Sequence, residues 1–151
     1  VHNTTFNLIN CLSTINKNIG HVENLSSIYK NPAVGFKGAF FFNCCIEVST
    51  ILEVENILKE ILNIEKEMGR RNRLSNKYES RIIDIDIIFF GDQIVNKKKL
   101  VIPHPRYCIR DFVLIPLLEI NGTLKDPETG ILVSDFLLKI KKNQSIKKME
   151  F

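Results

Sequence analysis

An α+β fold is predicted by three features of this sequence. The opening segment has helical apolar spacing, β-branched and aromatic runs are cut by proline and glycine, and a second apolar helical stripe lies between those runs. In chain order they give helix, strand, strand, helix, strand, the pattern of an antiparallel sheet with its helices on one face. At 151 residues the chain fits a single domain spanning residues 1–151. A chain of this size buries roughly two thirds of its surface.

Apolar residues recur at Phe6, Ile9, Leu12, Ile15 and Ile19, so an amphipathic helix runs to Gly20, which terminates it. A strand is expected from His21 to Lys30, then a loop at Asn31, Pro32, Ala33, Val34 and Gly35, where proline and glycine punctuate the chain. A second strand runs from about Ala39 to Ser49. Thr50 and Glu53 have the spacing of a capping box, opening a helix that reaches about Met68 and closes at Gly69. Its apolar face is Val54, Ile57, Leu58, Ile61, Leu62 and Ile64. Residues 70–80 lack an apolar period and read as an exposed basic loop. The run IIDIDIIFF gives the clearest strand, from Arg81 to Phe90, with a strict two-residue alternation around its acids. Gly91 and Asp92 turn the chain. A hairpin through Lys97 to Val101 follows, then a helix from Phe112 to Ile120 in which Pro116 limits or kinks the coil, and a last short helix from Val133 to Lys142.

Composition excludes several classes. Hydrophobic residues at 44% and charged residues at 25% are average globular usage, neither disordered nor fibrous. No apolar run approaches the ~18 to 20 residues of a membrane span, and the first residues lack a secretion signal, so the expectation is a cytoplasmic protein without a membrane partner. Cys11, Cys44, Cys45 and Cys108 contain no C-x-x-C pair and read as reduced, mostly buried small hydrophobes. The net charge of +4 is mild, but between Lys66 and Arg110 eleven basic residues stand against five acids. The middle of the chain is suited to meet negative charge.

Asp84 and Asp86 are two apart on the expected strand, so their side chains leave one face while Ile83, Ile85 and Ile87 occupy the other. Paired carboxylates repel unless a cation neutralises them, and Mg²⁺ takes a few carboxylate oxygens together with water and substrate phosphates. Such alternation also marks the solvent face of any half-exposed strand; the flanking basic loops favour a metal-bridged polyphosphate. His104 is held between Pro103 and Pro105, which suits either a ligand contact or a turn. Lys97, Lys98 and Lys99 fit a solvated turn or a phosphate contact. Asn43 interrupts an apolar strand and needs a partner, either a flat heterocycle with an amide edge or a backbone group across the sheet. Phe41, Phe42 and Phe112 serve as core or as a stacking platform for a planar ring.

The strings RIIDIDIIFFG, LVIPHPR and RDFVLIPLLEI, with the intervals between them, resemble the 6-hydroxymethyl-7,8-dihydropterin pyrophosphokinase family. Weaker similarity runs from Leu8 to the end. The resemblance implies a ferredoxin-like α+β fold, ATP as co-substrate, AMP as product, a reduced hydroxymethyl pterin as acceptor, and two Mg²⁺ ions held by Asp84 and Asp86. It also implies that Pro32, Val34 and Asn43 bind the pterin, that Phe41 and Phe112 stack on it, and that Glu65 lines the nucleotide site. Arg81, Lys99, His104 and Arg110 would contact ATP phosphates or ribose, and Ile87 the adenine. Arg70 and Arg73 would belong to a catalytic lid over residues 70–80, with Tyr78 as an aromatic cover. The family opens with a strand and a glycine-serine-asparagine turn that this chain lacks, so a truncated amino terminus is expected. A monomer, fused to or associated with other folate enzymes, completes the expectation. The alternative is a small basic nucleic-acid-binding domain that stacks bases on Phe40 to Phe42; Asp84 and Asp86, which repel a phosphate backbone unless metal-bound, oppose it, and no nucleic-acid partner is expected.

Overall fold

The computed structural model describes residues 2–32, 40–69, 82–140 and 146–149. Within them the chain forms helices α1 (His2–Asn18), α2 (Val54–Glu67), α3 (Asp111–Ile120) and α4 (Val133–Lys139). Its strands are β1 (His21–Leu25), β2 (Tyr29–Pro32), β3 (Phe40–Asn43), β4 (Ile46–Ser49), β5 (Val95–Lys97), β6 (Leu100–Ile102) and β7 (Lys147–Lys148). β1 pairs with β4, β2 lies between β3 and β7, and β5 pairs with β6. Helices combined with antiparallel ladders give the expected α+β class. The chain divides into two compact units, Val1–Glu23 with Val48–Asp86 and Asn24–Glu47 with Ile87–Phe151. No described helix is long and apolar enough to cross a membrane.

In the first unit α1 packs against α2. The stripe that α1 buries is Cys11 and Ile15, continued by Ile19 just past its end, while Phe6 and Ile9 are 62% and 59% exposed. At about 100° per residue, Phe6 falls on the side opposite that stripe, so its expected core role is corrected. α2 buries Val54, Ile57, Ile61 and Ile64 but leaves Leu62 47% exposed, because Leu62 also lies off the buried line. The capping box is absent: Thr50 Oγ1 donates to the Ile19 carbonyl at 2.5 Å and accepts from the Leu52 N–H at 3.0 Å. α2 begins after Glu53, whose side chain makes no cap bond. Gly20 is required by close approach, since a Cβ there would stand 2.1 Å from the Ser49 carbonyl oxygen. Gly69 ends α2 at φ 104, a left-handed conformation that side-chain-bearing residues rarely adopt.

Residues 82–89, expected as the clearest strand, join no ladder among the described residues. A strand needs a hydrogen-bonded neighbour as well as an alternating sequence. Here the Ile85 N–H donates to the Glu65 side chain at 3.1 Å, and the Ile88 carbonyl accepts from the His104 N–H at 3.0 Å. The alternation itself survives as exposed Ile82, Asp84 and Asp86 between half-buried Ile83, Ile85 and Ile87.

In the second unit the two long strands expected from the sequence are each broken. The Ser26 N–H donates to the Cys45 carbonyl at 2.9 Å, and the Cys45 N–H donates to Ser26 Oγ at 2.9 Å. The Ser27 N–H and hydroxyl leave the ladder direction altogether and donate to Glu119 on α3, at 2.9 and 2.7 Å. β2 resumes at Tyr29, with Tyr29 opposite Asn43 and Asn31 opposite Phe41. α3 packs on β2, β3 and α4, and it runs through Pro116 for all of its 10 residues. Pro116 therefore does not confine it to one turn. Leu114 and Val133, each fully buried, join Tyr107 in the core, whose ring meets Phe89 and Phe136 edge-on at 4.9 and 5.9 Å. The Tyr107 hydroxyl donates to Asp126, which also accepts from the Glu128 and Thr129 N–H groups at 2.8 Å each. Burial alone would push the Asp126 carboxyl up; these donors outweigh it and hold the group low.

Glu119 accepts further bonds from the Tyr29 hydroxyl at 3.1 Å and from Lys148 Nζ at 2.8 Å, so one carboxylate ties β2 and β7 to α3. The Lys148 bond, with help from Ser27 and Tyr29 and against partial burial, brings its pKa from 4.5 to about 2. A depressed carboxylate stabilises the fold fully above its unfolded value and loses that contribution as pH falls toward its folded one. Glu119→Gln should therefore remove a component of acid unfolding between pH 4.5 and about 2, read by circular dichroism during acid titration. Identical titration curves for both proteins would contradict this.

Candidate functional site

Glu65 sits on the buried stripe of α2 at 3% exposure, and its Oε1 accepts the Ile85 N–H. That bond fixes the backbone midway between Asp84 and Asp86, whose side chains are both exposed on one face of the extended segment. Burial thus keeps the isoleucines inward and the carboxylates outward. Among the described residues no group of three or more His, Cys, Asp or Glu side chains gathers as a metal site. A cation at Asp84 and Asp86 would draw on those carboxylates and on oxygens from water or ligand.

The second unit positions the other candidates. Asn43 lies at the end of β3, and its Nδ2 donates to the Oδ1 of Asn31, buried at 5% exposure on β2. The protein partner of Asn43 is thus a side chain rather than the backbone group across the sheet that was one of its two expected partners, and Asn31, expected in a loop, lies on β2. Its pairing across the β2–β3 register would have been visible had the two strands been aligned at Tyr29 and Asn43. Asn31 Nδ2 in turn donates to the Pro32 carbonyl at 3.2 Å. Phe41 is 54% exposed on β3, and Phe112 is half-buried in the first turn of α3. Arg110 precedes that helix and lies over the Phe112 ring at 5.6 Å from its centroid. Phe41 and Phe112 make no ring contact with each other, although the elements that carry them pack together.

His104 follows a cis Ile102–Pro103 bond. Its Nδ1 accepts the Arg106 N–H at 3.2 Å, so in the neutral ring the proton is on Nε2. Lys99 is exposed in the β5–β6 turn, and Ile87 is half-buried. Val34, Arg70, Arg73, Arg81 and Tyr78 lie outside the described residues. Cys11 is buried, whereas Cys44, Cys45 and Cys108 are half-buried, and all are free thiols. Burial pushes Cys44 up to about 11 and Cys45, with Cys44 beside it, up to about 12, so neither is a ready nucleophile.

Residues 1–122 match the family described as 7,8-dihydro-6-hydroxymethylpterin-pyrophosphokinase. The folic acid synthesis protein fol1 of Pneumocystis carinii is 41% identical over 116 residues, which cover 76% of this chain and 15% of that protein. The 2-amino-4-hydroxy-6-hydroxymethyldihydropteridine pyrophosphokinase of Aquifex aeolicus is 37% identical over 107 residues, 70% of this chain and 66% of its own length. The Synechocystis enzyme of the same name is 38% identical over 109 residues, 72% of this chain and 55% of its own. The match thus spans less than two thirds of each relative.

Proposed function

Because this chain belongs to the 7,8-dihydro-6-hydroxymethylpterin-pyrophosphokinase family, we propose that it transfers pyrophosphate from ATP to the hydroxymethyl group of 6-hydroxymethyl-7,8-dihydropterin, a step of folate biosynthesis. The match over residues 1–122 carries this proposal. In the reaction the hydroxymethyl oxygen bonds to the β-phosphorus of ATP, the bond between that phosphorus and the α,β-bridging oxygen breaks, AMP departs, and the hydroxyl proton is released.

Asp84 and Asp86 fit Mg²⁺, since two exposed carboxylates on one face offer hard oxygen donors and leave space for water and phosphate oxygens. Two bound ions would supply neutralisation of polyphosphate charge. Glu65 would serve the nucleotide site by holding the Ile85 amide between the aspartates. Lys99, His104, Arg110 and Arg81 would bind ATP phosphates or ribose, and Ile87 would meet the adenine. Pro32, Val34, Phe41, Asn43 and Phe112 would hold the pterin, the two rings stacking on it and Asn43 reading its amide edge. Arg70 and Arg73 would act late, in a lid that excludes water from the phosphates. The fuller picture is a ferredoxin-like, cytoplasmic, single-domain monomer. Its fusion to or association with other folate enzymes is supported by the much longer Pneumocystis relative.

The test is AMP release from ATP with and without the hydroxymethyl dihydropterin and Mg²⁺. Release that requires both is expected; acceptor-independent release, or none, would sink the assignment.

A further inference from the structure

Asn43 and Asn31 form a chain of amides with one direction. Asn31 is almost wholly buried, and its Nδ2 is committed to the Pro32 carbonyl. Its Oδ1 is therefore the group that faces Asn43, and an oxygen there can only accept. The Asn43 amide is forced to turn its Nδ2 toward Asn31, as it does. Flipping Asn43 would set two carbonyl oxygens against each other in a buried place, which costs the hydrogen bond and adds repulsion. Among the described residues nothing donates to Asn43 Oδ1.

Resting on the pterin role proposed for Asn43, we infer that Asn31 is the specificity-determining positioning residue of the pterin site: it locks the Asn43 amide so that Oδ1 is offered as an acceptor to the 2-amino side of the ring. A pterin presents N–H donors there. Its 2-oxo counterpart, a lumazine, presents an oxygen at the same place, which the locked Oδ1 repels. A freely rotating asparagine would accommodate either ring by turning over. The lock, rather than Asn43 alone, makes the site read the exocyclic amine. A site built to pair a polar group rejects the analogue lacking it far more strongly than an apolar pocket rejects a change of shape.

The experiment is calorimetric titration, with Mg²⁺ and a non-hydrolysable ATP analogue present, of 6-hydroxymethyl-7,8-dihydropterin and of 6-hydroxymethyl-7,8-dihydrolumazine. The unaltered chain should prefer the pterin by about 10-fold or more. Asn31→Ala should bring that ratio below about 3-fold, chiefly by improving lumazine binding, since Asn43 can then donate to the oxo group. Asn31→Asp keeps shape and acceptor and should keep the preference, which also serves should the alanine variant fold poorly. In an Asn43→Ala background, removing Asn31 should leave the ratio where it stands. An unchanged ratio in Asn31→Ala, lost preference in Asn31→Asp, or a further drop in the double variant would each overturn the lock while leaving the family activity intact. Failure of the unaltered chain to bind the pterin would overturn both.

Discussion

Asp84→Ala and Asp86→Ala are each expected to lower kcat by a factor of roughly 100 or more, because a metal that neutralises phosphate charge contributes several kcal/mol to the transition state. Stability should hardly move. Both side chains are exposed, while Ile83 and Ile85 pack on the other face and Glu65 holds the intervening amide. Surface substitutions of this kind usually stay within about 0.5 kcal/mol. Turnover with saturating Mg²⁺, together with thermal unfolding of the same samples, separates the two effects. Near-native turnover in either variant would remove the metal role, and a large loss of stability would show that the acids are structural.

Leu114→Ala is expected to have the largest effect on stability, about 3 kcal/mol or roughly 6 to 12 °C in Tm. Leu114 is fully buried on α3 beside Tyr107 and Val133, with Leu117, Leu118, Phe136 and Leu137 packed around that cluster. Truncation there leaves a cavity that rigid neighbours cannot close, on the helix whose first turn carries Phe112. Differential scanning calorimetry reads the shift. A loss below about 1 kcal/mol would mean that the cluster repacks freely.

How much of this was legible in the sequence depended on whether a feature was local. The helices could be read because apolar spacing and a terminating glycine are local signals: α2 was bounded by Gly69, whose φ of 104 is the reason that glycine stands there. The burial of Ile15, Ile19, Ile57 and Ile61 followed from the same period. Pairing was not legible. Alternation at 82–90 resembles a strand whether or not a neighbour is bonded to it, the break at Ser26–Ser27 depends on Glu119, far along the chain, and the one at Cys44–Cys45 on Ser26 Oγ across the ladder. The β7 strand was missed because Lys147 and Lys148 carry no β-propensity; a carboxylate and an open edge of β2 hold them.

The site shows the same division. The outward pairing of Asp84 and Asp86 follows from the period of two in an extended chain, even where no ladder forms. The need of Asn43 for a partner was readable from its apolar surroundings, but the identity of Asn31 was not, since that requires the register between β2 and β3. The role of Glu65 in holding Ile85 lay equally out of reach, because an acid on the apolar stripe of a helix does not announce which backbone amide it meets.

The central claim is pyrophosphoryl rather than phosphoryl transfer to a pterin, and mass spectrometry of the products formed from ATP and 6-hydroxymethyl-7,8-dihydropterin tests it most directly. The expected result is a pterin diphosphate and AMP in equal amounts, with the β- and γ-phosphorus atoms of ATP both found in the pterin product. A pterin monophosphate with ADP, or AMP and pyrophosphate with the pterin unchanged, would contradict it.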